Sequence, residues 1–65
     1  MFLITIFTET GAIIDKWAEQ ESTLALARIN QDEKLFKLSR EREYYKGTSH
    51  YFEYSNGYKA QIEKI

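Results

Sequence analysis

The sequence predicts an α+β domain: a small single-layer antiparallel sheet of four to five strands packed on one helix, in the order ββαβββ. Three observations carry this expectation. Residues alternate in polarity with period two towards both ends of the chain, and a helix-favouring run without glycine or proline separates the two regions. The three glycines, Gly11, Gly47 and Gly57, all fall between alternating runs, where turns belong.

Phe2 to Phe7 (F-L-I-T-I-F) is β-branched and aromatic, which favours strand. It ends at Thr8-Glu9-Thr10-Gly11, a short hairpin loop that a left-handed glycine can close. Ala12 to Trp17 then alternates Ile13, Asp15 and Trp17 against Ala12, Ile14 and Lys16, as a returning second strand should. From Ala18 to Glu33 the residues turn to Ala, Leu, Glu, Gln and Arg, the composition of a helix. Ser22 or Thr23 can cap its first turn, and Ala25, Leu26, Ile29 and either Leu35 or Phe36 should face inward. A single long helix from about Ile13 to Leu38 is the alternative, since positions 13, 17, 24, 27, 31, 35 and 38 approximate a helical spacing, but it would strip the first strand of its hairpin partner.

Lys34 to Tyr45 recovers period two and predicts a third strand, turned at Lys46-Gly47, or a loop one residue longer, into a fourth that begins near Thr48. The sharpest local signal follows. Asn56-Gly57 suits a two-residue type I′ turn, which would set Ser55 opposite Tyr58. That register puts Tyr51, Tyr58, Ala60 and Ile62 beneath the helix and turns His50, Phe52 and Tyr54 outward.

Sixty-five residues make a single small globular domain, 1–65, that buries only about 60% of the surface its unfolded chain exposes. With no cysteine and one histidine, neither disulfides nor an ordinary structural zinc site can reinforce it, so packing or oligomerisation must. Apolar residues at 43% and charged residues at 29% are the proportions of a folded domain. The apolar start lacks the features of a signal peptide, and no run approaches the ~20 apolar residues of a membrane span. The expected compartment is therefore the cytoplasm, with no membrane partner. Two basic and six acidic residues in the first 33, against seven and four in the rest, read as two faces that attract each other within one fold.

No catalytic constellation is visible. Ser49 and His50 are adjacent on a strand and point to opposite faces, so they cannot form a nucleophile–base pair. There is no glycine-rich phosphate loop and no metal-spaced cluster, and a chain this short rarely encloses a substrate pocket. The expectation is no enzyme, no cofactor and no small-molecule substrate. Stacking the two turns would align Glu43, His50 and Glu63 in one row; with no second histidine or cysteine, this reads as an ion-pair row rather than a metal site.

The remaining signal is an aromatic and basic face on the last three strands. All five tyrosines lie between 44 and 58, interleaved with Arg40, Arg42, Lys46 and Lys59. Phe52, Tyr54, His50, Arg40, Arg42 and Lys59 are the candidate binding residues, because aromatic and arginine side chains combine large contact area with fixed hydrogen-bonding ends. Glu41, Glu43, Glu53 and Glu63 in the same strands favour a protein partner, or a second copy in a homo-oligomer, over single-stranded nucleic acid. Short chains of this kind without catalytic groups are often regulators or inhibitors, those of phages and mobile elements included.

Overall fold

A computed structural model describes residues 1–65, and its elements follow the expected order: β1 (Phe2–Phe7), β2 (Ile13–Glu19), α1 (Ser22–Leu35), β3 (Arg40–Lys46), β4 (Ser49–Tyr54) and β5 (Lys59–Lys64). The strands form one five-stranded sheet in the order β2-β1-β5-β4-β3, and every neighbouring pair is antiparallel. Pairing β5 with β1 joins the N-terminal hairpin to the C-terminal meander and places the two longest-range partners at the centre. α1 carries the chain from the β2 edge to the β3 edge and covers one face. The other face has no layer upon it.

Ile4, Ile6, Ala25, Ile29, Leu38, Phe52, Tyr54, Ala60 and Ile62 form the core between sheet and helix, with Phe2, Trp17, Leu26 and Tyr58 packed against it. Ala25, Ile29, Ala60 and Ile62 occupy the expected face. His50, Phe52 and Tyr54 do not. They lie beneath the helix, buried, and Tyr51 instead stands half-buried on the uncovered face.

The reversal comes from the last turn. Tyr54 N–H donates to the Tyr58 carbonyl at 2.9 Å and Gly57 N–H to the Tyr54 carbonyl at 3.0 Å, so the loop is the three residues Ser55-Asn56-Gly57. Only Gly57 takes a positive φ, 89°, while the Asn56 side chain accepts the Tyr58 N–H at 3.0 Å. This is the three-residue hairpin in which a left-handed glycine follows a type I turn. Phe52 therefore opposes Ala60, and every side chain of β4 changes face relative to the two-residue register. Packing outweighs turn preference here. Burying Phe52 and Tyr54 is worth roughly 1.5–3 kcal/mol each, more than the difference between two turns that glycine accommodates equally.

The first hairpin closes in the same way: Gly11 N–H donates to Thr8 at 3.0 Å, Thr8 N–H to Ala12 at 2.8 Å, and Gly11 has φ 88°. A bulge at Ile14 lets Phe7 oppose Ile13 while Ile6 opposes Asp15, and β2 runs on to Glu19, two residues beyond the expected end. Lys46 opposes Ser49, so the β3–β4 turn is Gly47-Thr48, with glycine at the first central position as a type II′ turn requires.

The helix ends differ from expectation. Glu21, in extended conformation, is the N-cap, and neither Ser22 nor Thr23 caps the first turn. At the other end α1 takes Lys34 and Leu35, which the period-two reading gave to β3. Leu38 N–H donates to Glu33 at 2.8 Å and Lys37 N–H to Lys34 at 3.4 Å, the two bonds of a Schellman motif. Lys37 occupies its left-handed position at φ 55°, and Leu38 beyond it is buried in the core.

Candidate binding face on the open side of the sheet

Residues opposite one another in a ladder share a face, so the pairings define the uncovered surface row by row. Its central row reads Lys16, Thr5, Gln61, Tyr51, Tyr44 across the sheet. On one side lie Phe7, Lys59, Glu53 and Arg42, and on the other Leu3, Glu63, Ser49 and Lys46. Four cations and two carboxylates therefore stand among tyrosine, phenylalanine and leucine.

Tyr44 and Tyr51 are stacked, with ring centroids 5.3 Å apart and planes 21° from parallel. The Arg42 guanidinium lies 4.5 Å above the Tyr44 ring, a cation–π contact on its outer side. Tyr44 Oη donates to Glu53 Oε2 at 3.3 Å, and Arg42 Nη1 stands 4.0 Å from Glu53 Oε1. Desolvation first, and the Glu53 carboxylate second, hold the Tyr44 hydroxyl above its ordinary pKa, so it stays a neutral donor. Phe7, Tyr44, Tyr51, Glu53, Lys59 and Gln61 surround a depression of about 200 Å³.

Of the six candidate residues read from the sequence, Arg42 and Lys59 belong to this face. The other four are employed elsewhere. Phe52 is fully enclosed in the core. Tyr54 donates its hydroxyl to Glu33 Oε2 of α1 at 2.8 Å, and burial, then Glu33, raise its pKa far above the usual range. The His50 ring is sandwiched between Tyr45 at 4.1 Å and Phe52 at 4.3 Å, with Nε2 2.7 Å from Glu43 Oε2. Arg40 bonds Glu33 through Nε at 2.5 Å, Glu43 through Nη1 at 3.0 Å and Asn30 through Nη2 at 2.7 Å, while its guanidinium covers the Phe52 ring at 4.7 Å. It clamps the C-terminal half of α1 to β3.

The proposed row of Glu43, His50 and Glu63 is not formed. Glu43 does meet His50, diagonally, since the ladder partners of His50 are Tyr45 and Ile62. Glu63 lies on the opposite side of the sheet, beside Gln61. Tyr44, Tyr51 and Phe7 are the residues that sequence reasoning missed; a three-residue loop at Ser55-Asn56-Gly57, weighed against the two-residue one, would have found Tyr51.

No helix is long and apolar enough to cross a membrane. Comparison with protein-family models, with curated proteins and with solved structures finds no match to this chain.

Proposed function

We propose that this chain is a non-enzymatic cytoplasmic binding module that acts on a protein partner through the open face of its sheet, as a regulator or inhibitor. The observation that carries the reading is the stacked Tyr44–Tyr51 pair on an uncovered sheet face, flanked by Phe7 and by Arg42, Lys46 and Lys59. Tyrosine and arginine give large contact area at low conformational cost, and they anchor interfaces when a partner excludes water around them. With four cations against two carboxylates, the face fits a partner surface rich in Asp and Glu around an apolar centre.

A second reading rests on the same tyrosines. Aromatic rings on a bare antiparallel sheet with cations around them are how sheet-based proteins hold single-stranded nucleic acid. Glu53 and Glu63 within the face, and a net charge of −1, weigh against it.

A photo-crosslinking phenylalanine analogue at position 51, with position 24 as control, tests both readings in the cells that make the chain. The expected result is a single identified polypeptide joined at position 51 and lost when Arg42→Glu and Lys59→Glu are added. A nucleic-acid adduct at 51 instead establishes the second reading. No adduct at 51 overturns both.

A further inference from the structure

The helix side of the sheet holds a second opening, away from the face described above. α1 packs over β1 and β2, and beside its first turns it leaves a cavity of about 280 Å³ against the β3–β4 turn. Phe2, Leu26 and Ile62 wall it, and Tyr45, 73% exposed, stands at its rim. Three polar side chains line it: Ser22 from the start of α1, Thr48 from the turn and His50 from β4. No Asp, Glu, Lys or Arg side chain does, which favours a neutral ligand.

His50 gives the cavity its chemistry. The residue is only 7% exposed, its ring held between Tyr45 and Phe52. Nε2 lies 2.7 Å from Glu43 Oε2, and the other oxygen of that carboxylate accepts from Arg40 Nη1 at 3.0 Å. A carboxylate only accepts, so Nε2 carries the proton and the neutral ring keeps its lone pair on Nδ1. Nδ1 has no hydrogen-bond partner within the chain, yet it is not sealed from solvent as Trp17 Nε1 and Asp32 Oδ2 are. An acceptor in so buried a ring is costly to leave unpaired, and the cavity is where a donor reaches it.

We propose that this cavity binds a small phenol, whose hydroxyl donates to His50 Nδ1 while its ring packs against Phe2, Leu26 and Ile62 beside Tyr45. The size fits. At about 30 Å³ for each water-sized group, 280 Å³ holds about nine non-hydrogen atoms, a phenol ring with one or two substituent atoms. An aromatic ring suits walls that are themselves aromatic or branched, and a phenolic O–H is more acidic than an aliphatic one and so donates more strongly. The same oxygen can accept from the Ser22 or Thr48 hydroxyl, whose hydrogens turn to suit. The cavity lies on the helix side, so it stands or falls independently of the binding proposed for the open face.

Titration of the isotope-labelled full chain with phenol, anisole and benzoate, followed by nuclear magnetic resonance, tests it. Phenol is expected to give saturating amide shifts at Ser22, Leu26, Thr48 and His50 with a Kd of about 1 mM or tighter, within reach of so few atoms. Anisole keeps the ring but has no proton to donate, and should bind at least about tenfold more weakly. In His50→Phe, whose folding the same spectra report, phenol should lose that advantage; if the variant fails to fold, the wild-type comparison of phenol with anisole decides alone. Nitrogen shifts of the His50 ring should show Nδ1 without a proton. An Nδ1 that carries a proton in the free protein overturns the proposal, as does benzoate binding more tightly than phenol, since either makes His50 a donor to an acid. Anisole bound as well as phenol would leave only an apolar cavity, and no shift at these four residues up to about 10 mM phenol would leave one that water alone fills; both overturn it too.

Discussion

Asp32 of α1 and Asp15 of β2 meet across the seam between helix and sheet, and the Asp15 carboxyl helps to hold Asp32 in its protonated form. Asp32 is only 3% exposed, and its Oδ2 has no hydrogen-bond partner; nor does the buried Nε1 of Trp17. Burial first, and the Asp15 carboxyl second, raise the Asp32 pKa to about 6, against a smaller lowering by Arg28. Asp32 faces a second carboxyl from a position shielded from water, so its ionised form suffers both desolvation and repulsion.

Stability should consequently fall as pH rises through this group. The folded pKa is above the unfolded one, about 3.9, so the folded state holds an extra proton between roughly pH 4 and 6. The contribution is fully present below pH 4 and is lost as pH passes 6, an effect on the order of 3 kcal/mol. Asp32→Asn keeps a hydrogen-bonding side chain without the charge. Urea unfolding at pH 5 and pH 8 should show the variant more stable than wild type at pH 8 and the gap closing at pH 5. An Asn variant less stable at pH 8 would mean that the charged form of Asp32 is the one the fold requires.

Gly57 should be the least replaceable of the turn glycines. Its φ of 89° already disfavours any side chain, and a Cβ there would stand 2.9 Å from the Glu9 Cβ in the neighbouring loop. Gly11 and Gly47 have positive φ but open space around them. Substitution by alanine should cost about 1–2 kcal/mol at Gly11 or Gly47, from backbone strain alone, and more at Gly57, where two loops must part. Thermal unfolding of the three variants gives the order.

The same loop shows what the sequence could and could not reveal. Element order and the neighbourhood of each turn follow from alternation and glycine placement, because these are local signals, although the β3–β4 turn is Gly47-Thr48 rather than Lys46-Gly47. The face of β4 does not, since it depends on whether Ser55-Asn56-Gly57 spans as two residues or three. That choice is settled by Phe52 and Tyr54 packing against Ile4, Ile6 and Ala25, residues far away in the chain. The candidate site inherited the error: Arg42 and Lys59 stay on the exposed face, the β4 residues exchange places with Tyr51, and a bulge between Arg40 and Arg42 turns Arg40 to the helix side. The end of α1 was illegible for a different reason, namely that no glycine marks it.

Lys37 holds the left-handed position that glycine usually fills at a helix end. A side chain there costs about 1–2 kcal/mol, and glycine, though more flexible when unfolded, costs about 1 kcal/mol or less. Lys37→Gly should thus raise stability by up to about 1 kcal/mol while the bonds from Leu38 to Glu33 and from Lys37 to Lys34 persist. A lower unfolding midpoint in urea would show that the lysine side chain contributes through the C-terminal end of the helix dipole instead.

Phe52 and Tyr51, adjacent on β4, should separate folding from binding. Phe52 is fully enclosed, in contact with the tilted His50 ring and covered by the Arg40 guanidinium. Phe52→Ala removes a large ring from a core of nine residues and should cost about 3–5 kcal/mol, enough to unfold much of a domain this small. Tyr51 is half-buried on the open face, stacked only on Tyr44. Tyr51→Ala should cost about 1 kcal/mol in stability, the worth of one aromatic pair, and should abolish crosslinking from an analogue placed at position 44. Equilibrium denaturation read beside crosslinking distinguishes the two roles. If Tyr51→Ala proved as destabilising as Phe52→Ala and left the adduct at 44 intact, the uncovered side of β4 would be a second core rather than a binding surface. In the alternative register, with the loop spanned by Asn56-Gly57 alone, the two variants would exchange phenotypes, so one pair of alanine substitutions tests the turn and the face together.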